Sequence, residues 1–257
     1  MLKSKIMTPK ISRSAVRSHS PTFSPLYRQI KDFLIRCLEE GEWGPGDAIP
    51  SEGELAARFN VSQGTVRKAI DEMAAENMLI RRQGKGTFVA THDDPRSFYR
   101  FLRVAPDAGK HIQGVSDASA CEMVAASVEV AAALGLAVGD ELIRVLRVLR
   151  FADEPVVFDQ IYLLADAFAG LTLESLRSSE RSLYSVFESD YGVRMIRAEE
   201  RLRAVAADAE SAARLGIAVG EPLLRVERTA YTYGNKAVEW RLGLYSTRHY
   251  HYRNDLG

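Results

Sequence analysis

The chain of 257 residues is long enough for two ordinary domains, and its 46% hydrophobic and 26% charged residues are typical of a globular protein rather than a disordered or fibrous one. It has neither the run of about 18 apolar residues that spans a membrane nor the apolar core of a secretion signal, so we expect a cytoplasmic protein without a membrane partner. The formal net charge is zero, and Cys37 and Cys121 lie in unrelated segments without metal-ligand spacing, so we expect no metal and no other cofactor.

Residues 1–22 form a basic segment. It carries five lysines and arginines and no acidic residue, among serine, threonine and proline. This composition favours a flexible arm, which either contacts DNA phosphates or is a solvated tail. The first ordered domain is therefore expected to cover residues 23–90.

Three helices are predicted in this domain, over residues 25–40, 51–59 and 62–76. The first has apolar residues at helical spacing and begins with Pro25 at the first helical position. The second opens with Ser51 and Glu54, which have the spacing of a capping box, and Asn60 suits the left-handed residue that ends it. Ser62 caps the third helix, so two short helices joined by a tight turn follow a longer one.

A short hairpin is predicted directly after the third helix. Residues 79–82 and 87–89 have the composition of strands, and the glycines of Gln83-Gly84-Lys85-Gly86 permit the positive φ angles of a hairpin tip. Lys85 is carried on this tip. A basic hairpin in this position indicates a winged helix-turn-helix.

Residues 25–90 resemble the N-terminal domain of the GntR family of bacterial transcription regulators. The resemblance rests, in order and spacing, on Pro25-Leu26-Tyr27, Gly46-Asp47-Ala48-Ile49-Pro50-Ser51-Glu52, Val61-Ser62, Thr65-Val66-Arg67 and Gly84-Lys85-Gly86-Thr87-Phe88-Val89. It implies a third helix in the major groove of double-stranded operator DNA and a wing in the minor groove. The candidate DNA-binding residues are Tyr27, Ser51, Arg58, Ser62, Gln63, Thr65, Arg67, Lys85, Gly86 and Thr87.

Two positions depart from the family's usual pattern. Gly53 stands where many relatives have an arginine, and Gln63 replaces a second arginine. Arginine reads guanine in a bidentate manner whereas glutamine prefers adenine, so we expect an operator that differs from the family's common one. Arg58 either contacts a phosphate or lies on a solvated helix face. The alternative for the whole domain is a three-helix module that contacts only proteins.

A polar linker at residues 91–96 precedes a second domain, residues 97–257, which contains an internal repeat. Residues 134–147 recur as residues 215–228, offset by 81 residues and with nine of the fourteen positions identical. Each copy predicts an alanine-rich helix closed by a glycine, then a strand, a short turn and a second strand. This pattern indicates an α+β domain in which an antiparallel sheet carries its helices on one face.

The arginine that closes each copy of the repeat falls on an apolar strand face. Arg147 and Arg228 alternate with apolar residues at period two, where an unpaired guanidinium costs several kcal/mol. Asp159 and Glu239, on the strands after the turns, are the expected internal partners. A structural ion pair and a contact to a bound anion both remain open, and the two are compatible because ligand pockets often use such pairs.

Residues 97–250 resemble the UTRA effector domain of the HutC subfamily, which has a chorismate-lyase-like fold. The landmarks are the Leu-Gly-x-x-x-Gly turn, Arg147, Asp153-Glu154-Pro155, Ser182-Leu183-Tyr184, Ala198-Glu199, Arg228, Val238-Glu239 and Arg248-x-Tyr250. The resemblance implies a domain that binds a small metabolite, dimerises and changes the affinity for DNA. The candidate effector-binding residues are Arg147, Asp159, Tyr184, Arg228, Glu239 and Tyr250. Leu149 stands where relatives that sense sugar phosphates have a second arginine, which disfavours a phosphorylated sugar.

These features predict a homodimeric, metabolite-responsive repressor with a winged helix-turn-helix followed by an effector domain. One alternative is an enzyme, because chorismate lyase shares the second fold, but the sequence offers no nucleophile and base in a catalytic arrangement. The other is an activator or architectural DNA-binding protein without a ligand. Stabilisation by any metabolite would exclude that alternative, since a ligand that binds only the folded state must stabilise it.

Overall fold

The computed structural model describes residues 24–92, 101–108, 114–179 and 181–254. The predicted basic arm at residues 1–22 and most of the predicted linker lie outside these ranges. Within them, no helix has the length and apolar character needed to cross a membrane.

The first domain, the reading head, consists of three helices and a two-stranded wing. Its elements are α1 (Leu26–Glu39), α2 (Glu52–Phe59), α3 (Gln63–Ala75), β1 (Leu79–Arg82) and β2 (Gly86–Val89). The side chain of Ser51 accepts a hydrogen bond from the backbone of Glu54 in a complete capping box, and Asn60 ends α2 in the left-handed conformation with φ 53°. Helix α1 begins one residue later than predicted, because the ψ angle of 142° makes Pro25 the N-cap rather than the first helical residue.

In the part of the second domain that the structure describes, four complete helices accompany a six-stranded antiparallel sheet. The strands of this domain are β3 (Val104–Pro106), β4 (Val115–Ala125), β5 (Glu141–Phe151), β6 (Glu154–Leu164), β7 (Arg197–Ala206), β8 (Pro222–Tyr231), β9 (Ala237–Ser246) and β10 (Tyr250–Tyr252). Its helices are α4 (Val128–Leu134), α5 (Leu173–Arg177), α6 (Leu183–Tyr191) and α7 (Ala209–Leu215), with a 3-10 turn at Tyr233–Asn235. The sheet order is β4-β5-β6-β9-β8-β7, and β3 pairs separately with β10.

The sequence repeat is also a repeat of structure. Each copy comprises a strand, a helix, and a pair of hairpin strands: β4-α4-β5-β6 in the first and β7-α7-β8-β9 in the second. The two copies join through the antiparallel pairing of β6 with β9 at the centre of the sheet. Gly135 and Gly216 end α4 and α7 at equivalent places with φ of 70° and 65°, as the alanine-rich patterns predicted.

Helices cover both faces of the sheet, so the prediction of a single helical face was wrong. On one face, α4 packs with Leu142 and Trp240, and α7 packs with Phe158. On the opposite face, α6 packs over Val145 and Ile161. The central strands are buried on both sides, and each apolar face must be covered by another element.

Candidate functional site

The N-terminal end of α3 presents a polar surface. Ser62, Gln63 and Arg67 are exposed, and Thr65 is half-buried. The hydroxyls of Ser62 and Thr65 lie 2.8 Å apart, and Ser62 also accepts a hydrogen bond from the backbone of Thr65 at 3.2 Å. The Ser62 hydroxyl therefore caps the helix, while Gln63 and Arg67 project from it.

Arg67 is oriented by the neighbouring helix and by the wing. Its guanidinium lies 2.8 Å from the Glu52 carboxylate while its side chain stays 61% exposed. Arg81 of the wing binds the same carboxylate at 3.0 Å and Asp71 at 2.7 Å. The hydrogen bond from Arg67, followed by that from Arg81, holds the pKa of Glu52 below its usual range. A shared carboxylate thus fixes two cations on one surface.

The wing and α1 add further groups beside this helix. Lys85 is exposed at the hairpin tip, and Gly86 has a φ of 114° that favours glycine. Thr87 is half-buried, and its carbonyl accepts a hydrogen bond from Ile49 at 2.9 Å. The ammonium of Lys68 lies 3.9 Å from the ring centroid of Tyr27, so Tyr27 is linked to α3 by a cation–π contact.

Two of the predicted DNA-binding residues have internal roles. Ser51 closes the capping box of α2. Arg58 donates to the Glu42 carboxylate at 2.9 Å and lies 5.3 Å from the ring centroid of Phe59. Its guanidinium therefore forms a local ion pair while the side chain stays 44% exposed.

Lys68 and Arg81 belong to the same basic surface and were missed by the sequence analysis. Lys68 directly follows Arg67, and Arg81 lies on the first strand of the wing. The signal for Arg81 is a basic residue on a strand of the wing, whereas the prediction considered only the tip.

The two departures from the family pattern are spatial neighbours. A Cβ atom added to Gly53 would lie 3.1 Å from Nε2 of Gln63. An arginine at position 53 would therefore crowd Gln63 in its present conformation. The glycine leaves room for the glutamine to lie over the start of α2.

The effector domain holds a cavity of about 500 Å³ on the sheet face that α6 covers. Its aromatic wall consists of His92, Phe101, Tyr184 and Tyr245. Among the residues that the structure describes, no acidic side chain lines the cavity, whereas five arginines do: Arg147, Arg177, Arg181, Arg228 and Arg241. The cavity therefore has the surface of an anion-binding pocket with flat apolar walls.

Buried carboxylates neutralise three of these arginines from behind the cavity. Arg147 lies 2.8 Å from Oδ2 of Asp159, as the sequence predicted. The same oxygen lies 3.4 Å from Arg241, which also binds Glu239 at 3.0 Å. Burial lowers the pKa of Arg147, although Asp159 opposes this effect. Neither Asp159 nor Glu239 lines the cavity, so the two carboxylates support the site rather than face a ligand.

Arg228 pairs with Glu200 rather than with the expected Glu239. Its Nε donates to Glu200 at 2.7 Å, and it also donates to the carbonyl of Phe101. The sheet register explains the difference. Asp159 stands opposite Arg147 on the following strand, whereas Arg241 stands opposite Arg228. The second copy thus has a cation where the first has an anion, and Arg228 takes its carboxylate from β7 on its other side.

Tyr184 is a hydrogen-bond donor at the back of the cavity. Its hydroxyl donates to Oε1 of Glu239 at 2.9 Å. Burial, reinforced by the nearby Glu239 charge, raises the pKa of Tyr184 to about 12, so the hydroxyl keeps its proton at neutral pH. Burial likewise raises the pKa of Tyr245 to about 12.

Tyr250 does not line the cavity, which corrects its assignment as an effector-binding residue. It lies on β10, which pairs with β3, and its ring packs 5.6 Å from that of Phe151. Tyr250 belongs to the hydrophobic cluster that also contains Leu149 and Tyr245, so it packs next to the cavity lining rather than within it.

Arg177 is the cavity arginine without a carboxylate partner among the described residues. Its Nε donates to the carbonyl of Ala118 at 2.8 Å. Arg181 pairs with Asp190 at 2.8 Å near the surface. Each of the other four arginines has a carboxylate contact, so within the described part of the chain one more cation than carboxylates belongs to this cavity.

Comparison with known families assigns both domains. The family described as bacterial regulatory proteins of the gntR family matches residues 26–89. The UTRA domain matches residues 116–251, which is more than half of the chain. Both matches agree with the boundaries between the two sets of elements described above.

Relatives of similar length and a solved structure extend this result. The transcriptional regulator Rv0792c of Mycobacterium tuberculosis is 32% identical over 236 residues, covering 90% of this chain and 82% of its own. The repressor NagR of Bacillus subtilis is 28% identical over 238 residues, covering 90% and 96%. The ligand-binding domain of a GntR-family regulator from Bordetella bronchiseptica is 47% identical with a TM-score of 0.60, covering 62% of this chain and 99% of that domain.

The arrangement behind the cavity leaves no room for a side chain at Gly243. An added Cβ would lie 2.5 Å from Cε2 of Tyr245 and 2.9 Å from Oδ1 of Asp159. We predict that Gly243→Ala lowers stability by about 1–3 kcal/mol, the usual effect of overpacking. Denaturant unfolding measures it. In the control Gly64→Ala, the nearest atom lies at 3.8 Å, and stability should stay level or rise because alanine favours a helix. A Gly243→Ala protein as stable as the wild type would contradict the prediction.

Proposed function

The chain belongs to the GntR family of bacterial regulatory proteins, in the architecture that joins the gntR reading head to a UTRA domain, and we propose that it is a metabolite-responsive repressor of the HutC type. It is a DNA-binding transcriptional regulator and not an enzyme. The observation that carries the proposal is the presence, in one chain, of a reading helix with the exposed cation Arg67 and a separate arginine-lined cavity of about 500 Å³. Repression itself is supported by relatives that are named repressors.

On the DNA side, α3 enters the major groove and the wing follows the adjacent minor groove. Gln63 and Arg67 reach base edges, while Lys68, Arg81 and Lys85 lie near phosphates. The shared Glu52 carboxylate supports this assignment because it orients Arg67 before DNA arrives, and preorganised groups lose less entropy on binding.

The functional unit is a homodimer that acts in the cytoplasm. A single module of this size buries too little surface for tight binding, so two half-sites are read together. The reading head covers residues 23–90 and the effector domain covers residues 97–257, with the linker at residues 91–96 between them.

The effector is a small anion that enters the cavity. Arg147, Arg228 and Tyr184 face it, with Asp159 and Glu239 behind them. Among the described residues, Arg177 is the cavity arginine without a carboxylate partner, which favours an anion such as a carboxylate. Leu149 also lines the cavity, and its apolar side chain, where an arginine is found in sensors of sugar phosphates, supports the same class. A thermal-shift screen against small carboxylates, amino acids and sugars tests the effector side of the proposal.

The first prediction from the proposed function concerns Arg67. Arg67→Ala should abolish specific operator binding, because about 1–3 kcal/mol is lost for each bidentate base contact and a dimer loses one contact in each half-site, which together weaken affinity by roughly 30-fold or more. The fold should be unchanged, since Glu52 keeps its pair with Arg81. Gel-shift titration with a circular dichroism check measures both. The control is Arg201→Ala, at an exposed position on β7. Unchanged affinity of Arg67→Ala would mean that α3 does not dock in this way.

The second prediction concerns sequence preference. Gln63→Arg should shift one position of each half-site toward guanine, by about 1–3 kcal/mol. The longer side chain must also fit beside Gly53. Gln63→Lys is the matched variant, because lysine has the positive charge of arginine but not its bidentate guanidinium. Selection from a randomised operator library measures the preference of each protein. Identical recovered motifs for all three would rule out a base contact at position 63.

The third prediction concerns Arg147. Arg147→Lys keeps the charge beside Asp159 but loses the bidentate fork, so it should reduce ligand-induced stabilisation more than stability itself. Arg147→Ala should also lower the ligand-free melting temperature. Its loss should stay below the roughly 3–5 kcal/mol of an orphaned buried partner, because Asp159 keeps Arg241 at 3.4 Å.

Melting curves with and without the strongest ligand of the screen measure both variants. Arg144→Lys is the control, since Arg144 forms a surface pair with Glu122 on the other face of β5. Full ligand response in Arg147→Lys would exclude Arg147 from the ligand contacts.

A further inference from the structure

Helix α6 runs from the cavity to the junction of the two domains. Tyr184, in its first turn, lines the cavity. Glu188 lies one helical turn later, and its side chain is only 3% exposed. Residues four apart lie on the same side of a helix, so the cavity wall and the buried carboxylate are parts of one rigid element.

Glu188 binds the start of the interdomain linker. Its Oε2 accepts hydrogen bonds from the hydroxyl of Thr91 at 2.6 Å and from the backbone N–H of His92 at 2.7 Å. Its Oε1 lies 3.0 Å from Nε of Arg194, whose side chain is 4% exposed. The carboxylate therefore joins the linker to a buried arginine.

Arg194 in turn binds the reading head directly behind its recognition helix. One terminal nitrogen donates to the carbonyl of Met78 at 3.2 Å and the other to the carbonyl of Asn77 at 3.0 Å. These carbonyls follow the end of α3 and precede the wing, where a cation is favourably placed. Ile196, two residues further on, is buried in the hydrophobic core of the reading head.

The same linker residue that Glu188 binds also forms part of the cavity wall. The His92 ring lines the cavity and packs 5.7 Å from the ring of Phe101 and 5.5 Å from that of Tyr184. Its Nε2 lies 3.1 Å from the carbonyl of Met195. The cavity wall and the backbone N–H that is hydrogen-bonded to Glu188 thus belong to one residue.

We infer that Glu188 and Arg194 are positioning residues that hold the reading head on the effector domain and pass occupancy of the cavity to the recognition helix. The inference rests on the proposed function, in which this cavity is the effector site. An occupant moves the His92 ring, the linker shifts against Glu188, and the arginine transmits the shift to the carbonyls behind α3. A buried charge pair suits this task because it tolerates few alternative geometries once both partners are desolvated.

A covalent probe fills the cavity without knowledge of the natural effector. In a protein with Cys37→Ala and Cys121→Ala, Ser116→Cys places a thiol on the cavity lining. Benzyl methanethiosulfonate then attaches a benzylthio group through a disulfide. Val138→Cys, at a position 65% exposed and away from the cavity lining, carries the same label as a control.

The measurement is the ratio of operator Kd between labelled and unlabelled protein. We expect labelling at Ser116→Cys to change Kd by about 5- to 150-fold, the usual range of allosteric coupling. In the Arg194→Gln background the ratio should fall to near one. In the Arg144→Gln background, which breaks an exposed ion pair instead, the ratio should stay at the wild-type value. An equal ratio in Arg194→Gln and wild type would overturn the inference.

A milder variant guards against misfolding of Arg194→Gln. Tyr233→Phe removes only a hydroxyl that accepts from Arg194 at 3.3 Å, and it should lower the ratio partway while the melting temperature stays close to wild type. An unchanged ratio in folded Tyr233→Phe, together with a misfolded Arg194→Gln, counts against the inference.

A distance measurement separates failure of the inference from failure of the proposed function. Spin labels at Glu40→Cys and Val219→Cys, both exposed, report the distance between the domains in protein diluted with unlabelled chains. We expect one narrow distribution in the wild type and a broad one in Arg194→Gln. One outcome is that the benzyl label on Ser116→Cys leaves the operator Kd unchanged while Arg194→Gln still broadens the distance distribution between the domains. In that case the cavity is not the effector site, and the positioning role of Arg194 stands without coupling to the cavity. A narrow distribution in folded Arg194→Gln overturns the positioning role itself.

Discussion

The effector domain depends on a network of buried charges on one face of its sheet. Asp159 offers a single oxygen to two guanidinium groups, Glu239 binds the second of them, and Tyr184 donates to Glu239. Removing one member of such a network leaves an uncompensated charge in a low-dielectric region. The resulting loss of folding free energy is larger than the net stabilisation that the intact pair provides. The network therefore fixes the geometry of the cavity wall more than it adds to stability. Gly243 is part of the same constraint, because only a residue without a Cβ leaves space beside Asp159 and Tyr245.

The internal duplication of the second domain explains why arginines from both copies meet at one cavity. Arg147 and Arg228 occupy equivalent places in the two copies, and both line the cavity. Their cross-strand neighbours differ, since Arg147 faces Asp159 and Arg228 faces Arg241. Replacing an anion by a cation in one copy concentrates positive charge on one side of the shared cavity. Divergence between the copies, rather than the repeat itself, thus sets the charge of the site.

The two domains are connected by polar contacts as well as by apolar packing. Arg194 reaches from the effector domain to backbone carbonyls behind α3, and Ile196 completes the hydrophobic core of the reading head. An apolar contact alone permits sliding, whereas hydrogen bonds to two successive carbonyls define an orientation. The recognition helix therefore has a defined direction relative to the cavity, which is what a ligand must change to alter operator binding.

The amino-acid sequence was sufficient to predict the helix caps, the wing and one buried ion pair of the cavity wall. Capping at Ser51 and Ser62, the left-handed Asn60 and the glycine-rich wing follow from short-range rules, because each depends on a few adjacent residues. Period-two alternation likewise placed Arg147 on a buried face with Asp159 as its partner. Long-range contacts set three features that local patterns do not predict: the pairing of Arg228 with Glu200, the packing of Tyr250 next to the cavity lining rather than within it, and the helices on both faces of the sheet. Glu188 and Arg194 were missed for the same physical reason. Their partners are set by the register between distant strands and by the docking of two domains, and neither leaves a periodic pattern in the chain.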